Sequence, residues 1–219
     1  MENLYEIVPI EGKGQGCVAL QEIKIGTLIL KERPQCVAKQ ELVSGEGGHL
    51  SYDYLKSLSD AFFAMSSSDQ QEFMKLESRF KDKNLLEDLA KRPERGGDYL
   101  KKMLSELEKF VKTTSSSIEF PMSPQEFFGK ETPVEKLDEL FKEMLLEILC
   151  VYESNTFKEC YINYSKRNLA NRQIRSIREG GVGLKFSKFN HSCQPNAEAH
   201  LNQAGEIELR AVSKIKVCF

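Results

Sequence analysis

The sequence predicts an α+β fold in which small β-sheets at the N-terminal and C-terminal ends are separated by a large helical insert. Three observations carry this. Residues 5–38 alternate short apolar runs with glycine-bearing turns, the pattern of short strands. Residues 197–212 read as strand, turn, strand. Between these ends, from about residue 51, apolar residues recur at helical spacing behind Ser or Thr starts. The expected organisation is a single domain, 1–219, with an N-terminal β part at 1–40, an insert at 41–150 and a C-terminal part at 151–219.

Tyr5 to Pro9 is the first predicted strand, and Glu11-Gly12-Lys13-Gly14-Gln15-Gly16 is a glycine-dense turn. Glycines at alternate positions allow a tight hairpin or the close approach of a ligand. This is not the dinucleotide-binding fingerprint, because a hairpin pattern follows rather than a long helix. Cys17 to Leu20, Thr27 to Leu30 and Gln35 to Ala38 are the next strands, and 40–50 is a loop. Ser68-Asp69-Gln70-Gln71 reads as a capping box ahead of Phe73, Leu76 and Phe80. Leu85 to Ala90 continues helical. Asp98 can cap a helix whose apolar face is Leu100, Met103, Leu104, Leu107 and Val111. Ser115 to Ser117 is a loop, and Ser123-Pro124-Gln125-Glu126 is a further capping box with proline at the first helical position. The strongest helix starts at Thr132-Pro133, with a stripe of Val134, Leu137, Leu140, Phe141, Met144, Leu145, Ile148 and Leu149, which marks a face packed on a core. Cys160 to Arg178 is polar, with Lys166, Arg167, Arg172, Arg175 and Arg178. It reads as a solvated helix face or, more sharply, as a surface for an acidic partner.

Composition narrows the function classes. Of 219 residues, 40% are hydrophobic and 29% charged, and the formal net charge is -2, so no global basic field argues for direct nucleic-acid binding. No apolar run approaches the roughly 18 residues of a membrane span. The opening Met1-Glu2-Asn3-Leu4-Tyr5-Glu6 is acidic and lacks the apolar stretch of a secretory signal. Cys17, Cys36, Cys150, Cys160, Cys193 and Cys218 form no C-x-x-C pair. That pattern fits free thiols in a reducing compartment, cytoplasmic or nuclear, and no closed zinc site.

The densest chemistry lies in Asn190-His191-Ser192-Cys193-Gln194-Pro195-Asn196. Turn-forming Asn, Ser and Pro surround an imidazole and a thiol there, between Gly181-Val182-Gly183-Leu184-Lys185-Phe186 and the strand pair of residues 197–212. His191 can be read as a general base, and Cys193 as a nucleophile or as a packed thiol. Asn155, in Ser154-Asn155-Thr156-Phe157, is either a helix cap or a binding residue.

Together these stretches resemble the SET domain of protein-lysine methyltransferases, in the SET-and-MYND (SMYD-like) branch. The Gly12-Lys13-Gly14-Gln15-Gly16 turn, followed by Ala19, Ile23, Gly26 and Ile29, resembles the family's opening. The heptamer and Ile207 to Val212 resemble its core. The likeness covers roughly 5–38 and 150–215. It implies S-adenosylmethionine (SAM) as cofactor, a protein lysine as substrate and a monomer as the working form. It implies that Lys13, Gly14, Gln15, Asn155, Asn190 and His191 bind the cofactor, with His191 acting mainly through its backbone. The MYND finger is expected to be missing, since residues 37–149 hold no cysteine. The family's pattern after Ile215 leads to a strand ending in a catalytic tyrosine and then to post-SET cysteines. This sequence reads Lys216-Val217-Cys218-Phe219 there. The expectation is therefore a truncated form with no catalytic tyrosine and no structural zinc, and with methyl transfer set against an alternative role as a non-catalytic SAM- or partner-binding module.

Overall fold

The structure, a computed structural model, describes residues 3–43, 51–78, 97–114, 136–159 and 175–217. Strands β1 (Tyr5–Ile10) and β2 (Gly14–Ala19) pair antiparallel as a hairpin, from Tyr5 opposite Ala19 to Ile10 opposite Gly14. β3 (Leu28–Glu32) and β4 (Cys36–Val43) follow, then helices α1 (Tyr52–Phe63), α2 (Ser67–Met74), α3 (Gly97–Thr114) and α4 (Leu137–Asn155). The chain returns to sheet in β5 (Phe157–Glu159) and β6 (Arg175–Val182). A 3-10 turn, Phe186–Lys188, leads through the heptamer to β7 (Ala197–Leu201) and β8 (Ile207–Ala211).

The α+β class is as predicted, but the sheets are not segregated by chain end. Besides the β1–β2 hairpin there is a β3–β8–β7 sheet and a β4–β6–β5 sheet. Each of the three-stranded sheets therefore joins an early strand to late ones. A reciprocal backbone pair between Ile23 and Ile215, 2.9 Å each way, adds another such tie. Helix begins at Tyr52, as expected from about residue 51, but β4 runs on to Val43, inside the predicted loop, and α4 ends at Asn155, past the expected insert boundary at 150.

The largest correction concerns residues 175–178, expected on a solvated helix face. They open β6, the central strand of its sheet, paired with β4 from Cys36 opposite Val182 to Val43 opposite Arg175. β5 pairs with its other edge at Glu179–Gly181. Backbone pairing with β4 along the whole strand outweighs the helical preference of a charged stretch, because strand propensity follows context more than composition. The rest of the basic tract, Lys166, Arg167 and Arg172, lies outside the described residues, as do Phe80, 85–90 and the 123–126 capping box.

The core forms where the helices meet the β4–β6–β5 sheet. α4 supplies Phe141, Met144, Leu145, Ile148 and Leu149 from the predicted stripe, and then Cys150, Val151 and Tyr152 are buried as well. α3 supplies Leu107 and Val111, as its spacing predicts, and Phe110. Phe62 of α1 meets Phe73 of α2 edge-on, ring centroids 5.4 Å apart. α2 is capped two residues earlier than expected. The Ser66 hydroxyl, not that of Ser68, accepts from Asp69 N at 3.2 Å and donates to Asp69 Oδ2 at 2.7 Å. The Ser66 hydroxyl thus caps the first turn and is itself held by the Asp69 carboxylate. Tyr152 fastens α4 to the sheet: its hydroxyl donates to Gly180 O at 2.6 Å and accepts from Ala38 N at 3.3 Å. Burial pushes its pKa upward.

The β7–β8 turn is held by one side chain. Asn202 Oδ1 accepts from Ala204 N and Glu206 N, and Nδ2 donates to Glu206 Oε2 and Glu208 Oε1, all within 3.0 Å. Lys31 and Arg210 add ion pairs to Glu206 and Glu208 at 2.7 and 2.9 Å. Asn202 first, then Lys31 and Arg210 respectively, hold both carboxyls below the ordinary glutamate value of 4.5. A depressed carboxyl stabilises the fold above its unfolded pKa and loses that contribution as pH falls through the folded value. Stability is therefore expected to be level above about pH 5 and to decline below about 4.5. Asn202→Ala should lower Tm at neutral pH and flatten that acid limb. An unchanged limb in a pH series of thermal melts would contradict the network.

Candidate functional site

The residues singled out by sequence converge on one cleft of about 1190 Å³. Its walls come from the β1–β2 turn, the end of α4, the 3-10 turn with the heptamer, and the β7–β8 pair. Lys13, Gly14, Asn155, Asn190 and His191 line it. These residues are up to 178 positions apart in the chain. Gln15 does not line it. Its backbone carbonyl instead accepts from Asn190 Nδ2 at 3.3 Å, so it meets the cleft through Asn190 rather than through its own side chain.

The glycine turn is built for that contact. Gly12 and Gly14 take left-handed φ of 71° and 69°. Gly16 is required for a different reason: a Cβ there would stand 2.6 Å from Asn190 Nδ2 and would also collide with Ile10. The hairpin and the heptamer can therefore meet only over a bare backbone.

Asn155 is fixed from two sides. Its Nδ2 donates to Val151 O at 2.9 Å and to Glu77 O at 2.7 Å. Two carbonyls at the nitrogen settle the amide's orientation, since the oxygen could not face them. These bonds support the helix-end reading of Asn155. It ends α4, and its remaining polar atom, Oδ1, is an acceptor on a residue that borders the cleft.

The structure adds residues that the sequence did not single out. Glu77 and Ser78, just beyond α2, border the cleft. Glu77 Cγ lies 3.2 Å from where a Gly14 Cβ would be. No local signal separates Glu77 from the other acidic residues of the insert; only the tertiary fold brings it beside Gly14. Phe186 also lines the cleft, edge-on to Phe157 at 5.4 Å and 84°. It is positioned by Glu32, whose carboxylate accepts from Lys185 N at 3.0 Å and Phe186 N at 2.8 Å. Phe189, another lining residue, meets Tyr5 edge-on at 4.9 Å. The Tyr5 hydroxyl's pKa is raised, by burial first and then by Cys17 and Glu32.

All seven residues of Asn190–Asn196 are exposed. Ser192 organises the turn, donating to Gln194 O at 2.9 Å and accepting from Gln194 N at 3.2 Å. Asn196 O receives Val212 N at 2.9 Å, which ties the loop to the end of β8. Cys193 is exposed rather than packed, with its sulfur 3.6 Å from His191 Nε2. Cys36 and Cys150 are buried, with burial pushing each thiol up to about 12, and half-buried Cys17 is pushed up to about 11. Among the described residues no group of three or more His, Cys, Asp or Glu side chains could hold a metal ion. No described helix is long and apolar enough to cross a membrane.

The cleft is assembled from remote segments by antiparallel sheets that join early strands to late ones. No curated protein sequence matches this chain. Among solved structures, the SET domain of LSMT bound to lysine and AdoHcy is similar over 99% of this chain and 48% of that one, at 12% identity and a TM-score of 0.44. The chain thus spans about half the length of that protein. The SET-domain family profile matches residues 14–217, from the start of β2 past the end of β8. With nearly its whole length covered, the chain belongs to the SET-domain family.

Proposed function

We propose that this chain binds S-adenosylmethionine in the cleft and serves methyl transfer to a protein lysine. The observation that carries the reading is the convergence of Lys13, Gly14, Asn155, Asn190 and His191 on one cleft, with Gln15 joined to it through Asn190. The residues present fit such a donor. Asn155 Oδ1 is an acceptor suited to the ammonium of its amino-acid end. Asn190 keeps its own carbonyl oxygen and a second N–H beyond the bond to Gln15. Lys13 brings a positive charge for a carboxylate, and Glu77 brings acceptor oxygens for hydroxyls. Bound there, SAM would supply an electrophilic methyl group for a neutral lysine amine, with S-adenosylhomocysteine (AdoHcy) as the product left behind. The chain's part is to align amine and methyl, and to desolvate the amine so that its neutral form is favoured.

The heptamer and the Gly181-Val182-Gly183 opening support the SET-and-MYND branch, and the cysteine-free stretch 37–149 supports a form without the MYND finger. The alternative reading is a non-catalytic SAM- or partner-binding module. Thermal unfolding with and without SAM tests the shared part. A hundredfold excess over Kd is worth about 2.7 kcal/mol, about 5–10 °C for a chain of this size. Asn190→Ala should abolish that shift. No shift in the parent chain would end both SAM readings. A shift without transfer of labelled methyl to a lysine peptide array would select the second.

A further inference from the structure

One stretch of the cleft wall, Ser154-Asn155-Thr156, is the end of a helix. Helix ends fray, because their last carbonyls have no partner within the helix. This end is instead fixed from within. Ser154 Oγ donates to Cys150 O at 2.8 Å, Asn155 Nδ2 to Val151 O at 2.9 Å and Thr156 Oγ1 to Tyr152 O at 2.6 Å. It is also held from three other elements. Glu77 O, beyond α2, receives Asn155, and the Tyr54 hydroxyl of α1 donates to Glu153 Oε1 at 2.6 Å. The third anchor is Tyr152, which reaches the β4–β6–β5 sheet.

Tyr152 is 1% exposed, and its ring meets Tyr54 edge-on at 6.3 Å. Through its bonds to Gly180 O of β6 and Ala38 N of β4, one oxygen ties the helix end to two adjacent strands. The sheet leaves room for it. A Cβ on Gly180 would stand 3.0 Å from that oxygen and 2.5 Å from Thr156 Cγ2, so both side chains press on a bare main chain. Phenylalanine would fill the same space without a hydroxyl to desolvate. What the hydroxyl adds is direction. Apolar packing is non-directional, whereas two hydrogen bonds to fixed main-chain groups set the rotation and height of the last turn.

We propose that Tyr152 is a positioning residue for the cofactor wall of the cleft. Its hydroxyl, pinned between β4 and β6, sets where Asn155 and Thr156 stand, and it does so from outside the cleft, touching no ligand. The inference rests on the donor reading above. A binding group has to stand within about 0.5 Å of its productive place. Without the pin, α4 keeps its apolar packing, but its last turn can shift by more than that.

The test is Tyr152→Phe in the full chain, with AdoHcy binding measured by calorimetry well below the melting transition. Kd should rise about tenfold. Val111→Ala, a core truncation on α3, should lower Tm and leave Kd unchanged. In an Asn155→Ala background, Tyr152→Phe should change Kd by less than about twofold, because the group it positions is already gone. Without ligand, amide exchange at Asn155 and Thr156 should quicken about tenfold in Tyr152→Phe and keep its wild-type rate in Val111→Ala. The proposal is overturned if Tyr152→Phe binds AdoHcy as wild type does, or if Val111→Ala weakens binding equally. It is also overturned if the tenfold loss persists without the Asn155 amide, or if exchange at Asn155 and Thr156 does not change. A wild-type chain that does not bind AdoHcy is a different outcome. It removes the donor reading and the positioning role with it, even where the exchange rates show that the hydroxyl holds the helix end.

Discussion

Gly183→Ala should lower stability by about 2–4 kcal/mol and abolish the SAM-dependent rise in Tm. The added methyl would stand 2.7 Å from Glu32 Oε2, 2.9 Å from Phe186 Cβ and 3.1 Å from Ile207 Cδ1. The carboxylate can swing away, but only by releasing Lys185 N and Phe186 N, the two bonds that start the 3-10 turn. Phe186 Cβ lies close to the main chain and cannot yield without moving it. The substitution therefore reaches the cleft through Phe186 and, four residues later, Asn190. Gly205→Ala is the control. It has left-handed φ of 74° but nothing within 4 Å of a new Cβ, so it should cost only about 1 kcal/mol of backbone strain and leave SAM binding intact. Urea melts of the two variants decide the matter: equal losses would mean that the crowding around Gly183 is not as described.

Phe73→Ala should cost about 3–5 kcal/mol, the range for removing a fully buried phenyl group. Phe73 has 0% exposure and anchors α2 against Phe62. Its effect should extend beyond stability. The chain leaving α2 carries Glu77, whose carbonyl holds Asn155 at the cleft wall. Loosening α2 thus loosens Asn155, and the SAM shift should shrink even under conditions where the variant is fully folded. Phe73→Leu, which keeps most of the volume, should lose less of both. If Phe73→Ala kept full SAM affinity, the link between insert and cleft would be only structural.

What the sequence made legible was the local chemistry. Period-two runs and glycine turns gave β1, β3, β7 and β8 close to their observed bounds, whereas β2 begins at Gly14, inside the predicted turn, and the stripe from Phe141 to Leu149 gave the buried face of α4. Five of the six candidate binding residues line one cleft because each lay in a short, chemically unusual segment. The failures share a different cause. β6 is rich in charge and was read as helix, since the strands that flank it, β4 and β5, lie elsewhere in the sequence. Glu77 carries no mark of its own, and Gln15 enters through a main-chain oxygen, which every residue possesses. Ser66 displaced Ser68 as a cap because three serines in a row offer the same signal in three registers, and α2 begins at Ser67.

The pairing of early with late strands has a consequence for how the chain acquires its structure. Cys36 meets Val182, and Leu28 meets Arg210, closing loops of well over a hundred residues. Loop closure of this length is entropically unfavourable and tends to slow folding. On the ribosome, β3 and β4 must wait with open edges until β6 and β8 have emerged. At about 5–20 residues per second, that wait lasts roughly ten to thirty seconds. The hairpin of β1 and β2 and the helices between have local partners and can form in the interval. The cleft cannot: its walls exist only once β7 and β8 have docked, so ligand binding in a nascent chain would report the docking of those strands rather than earlier progress.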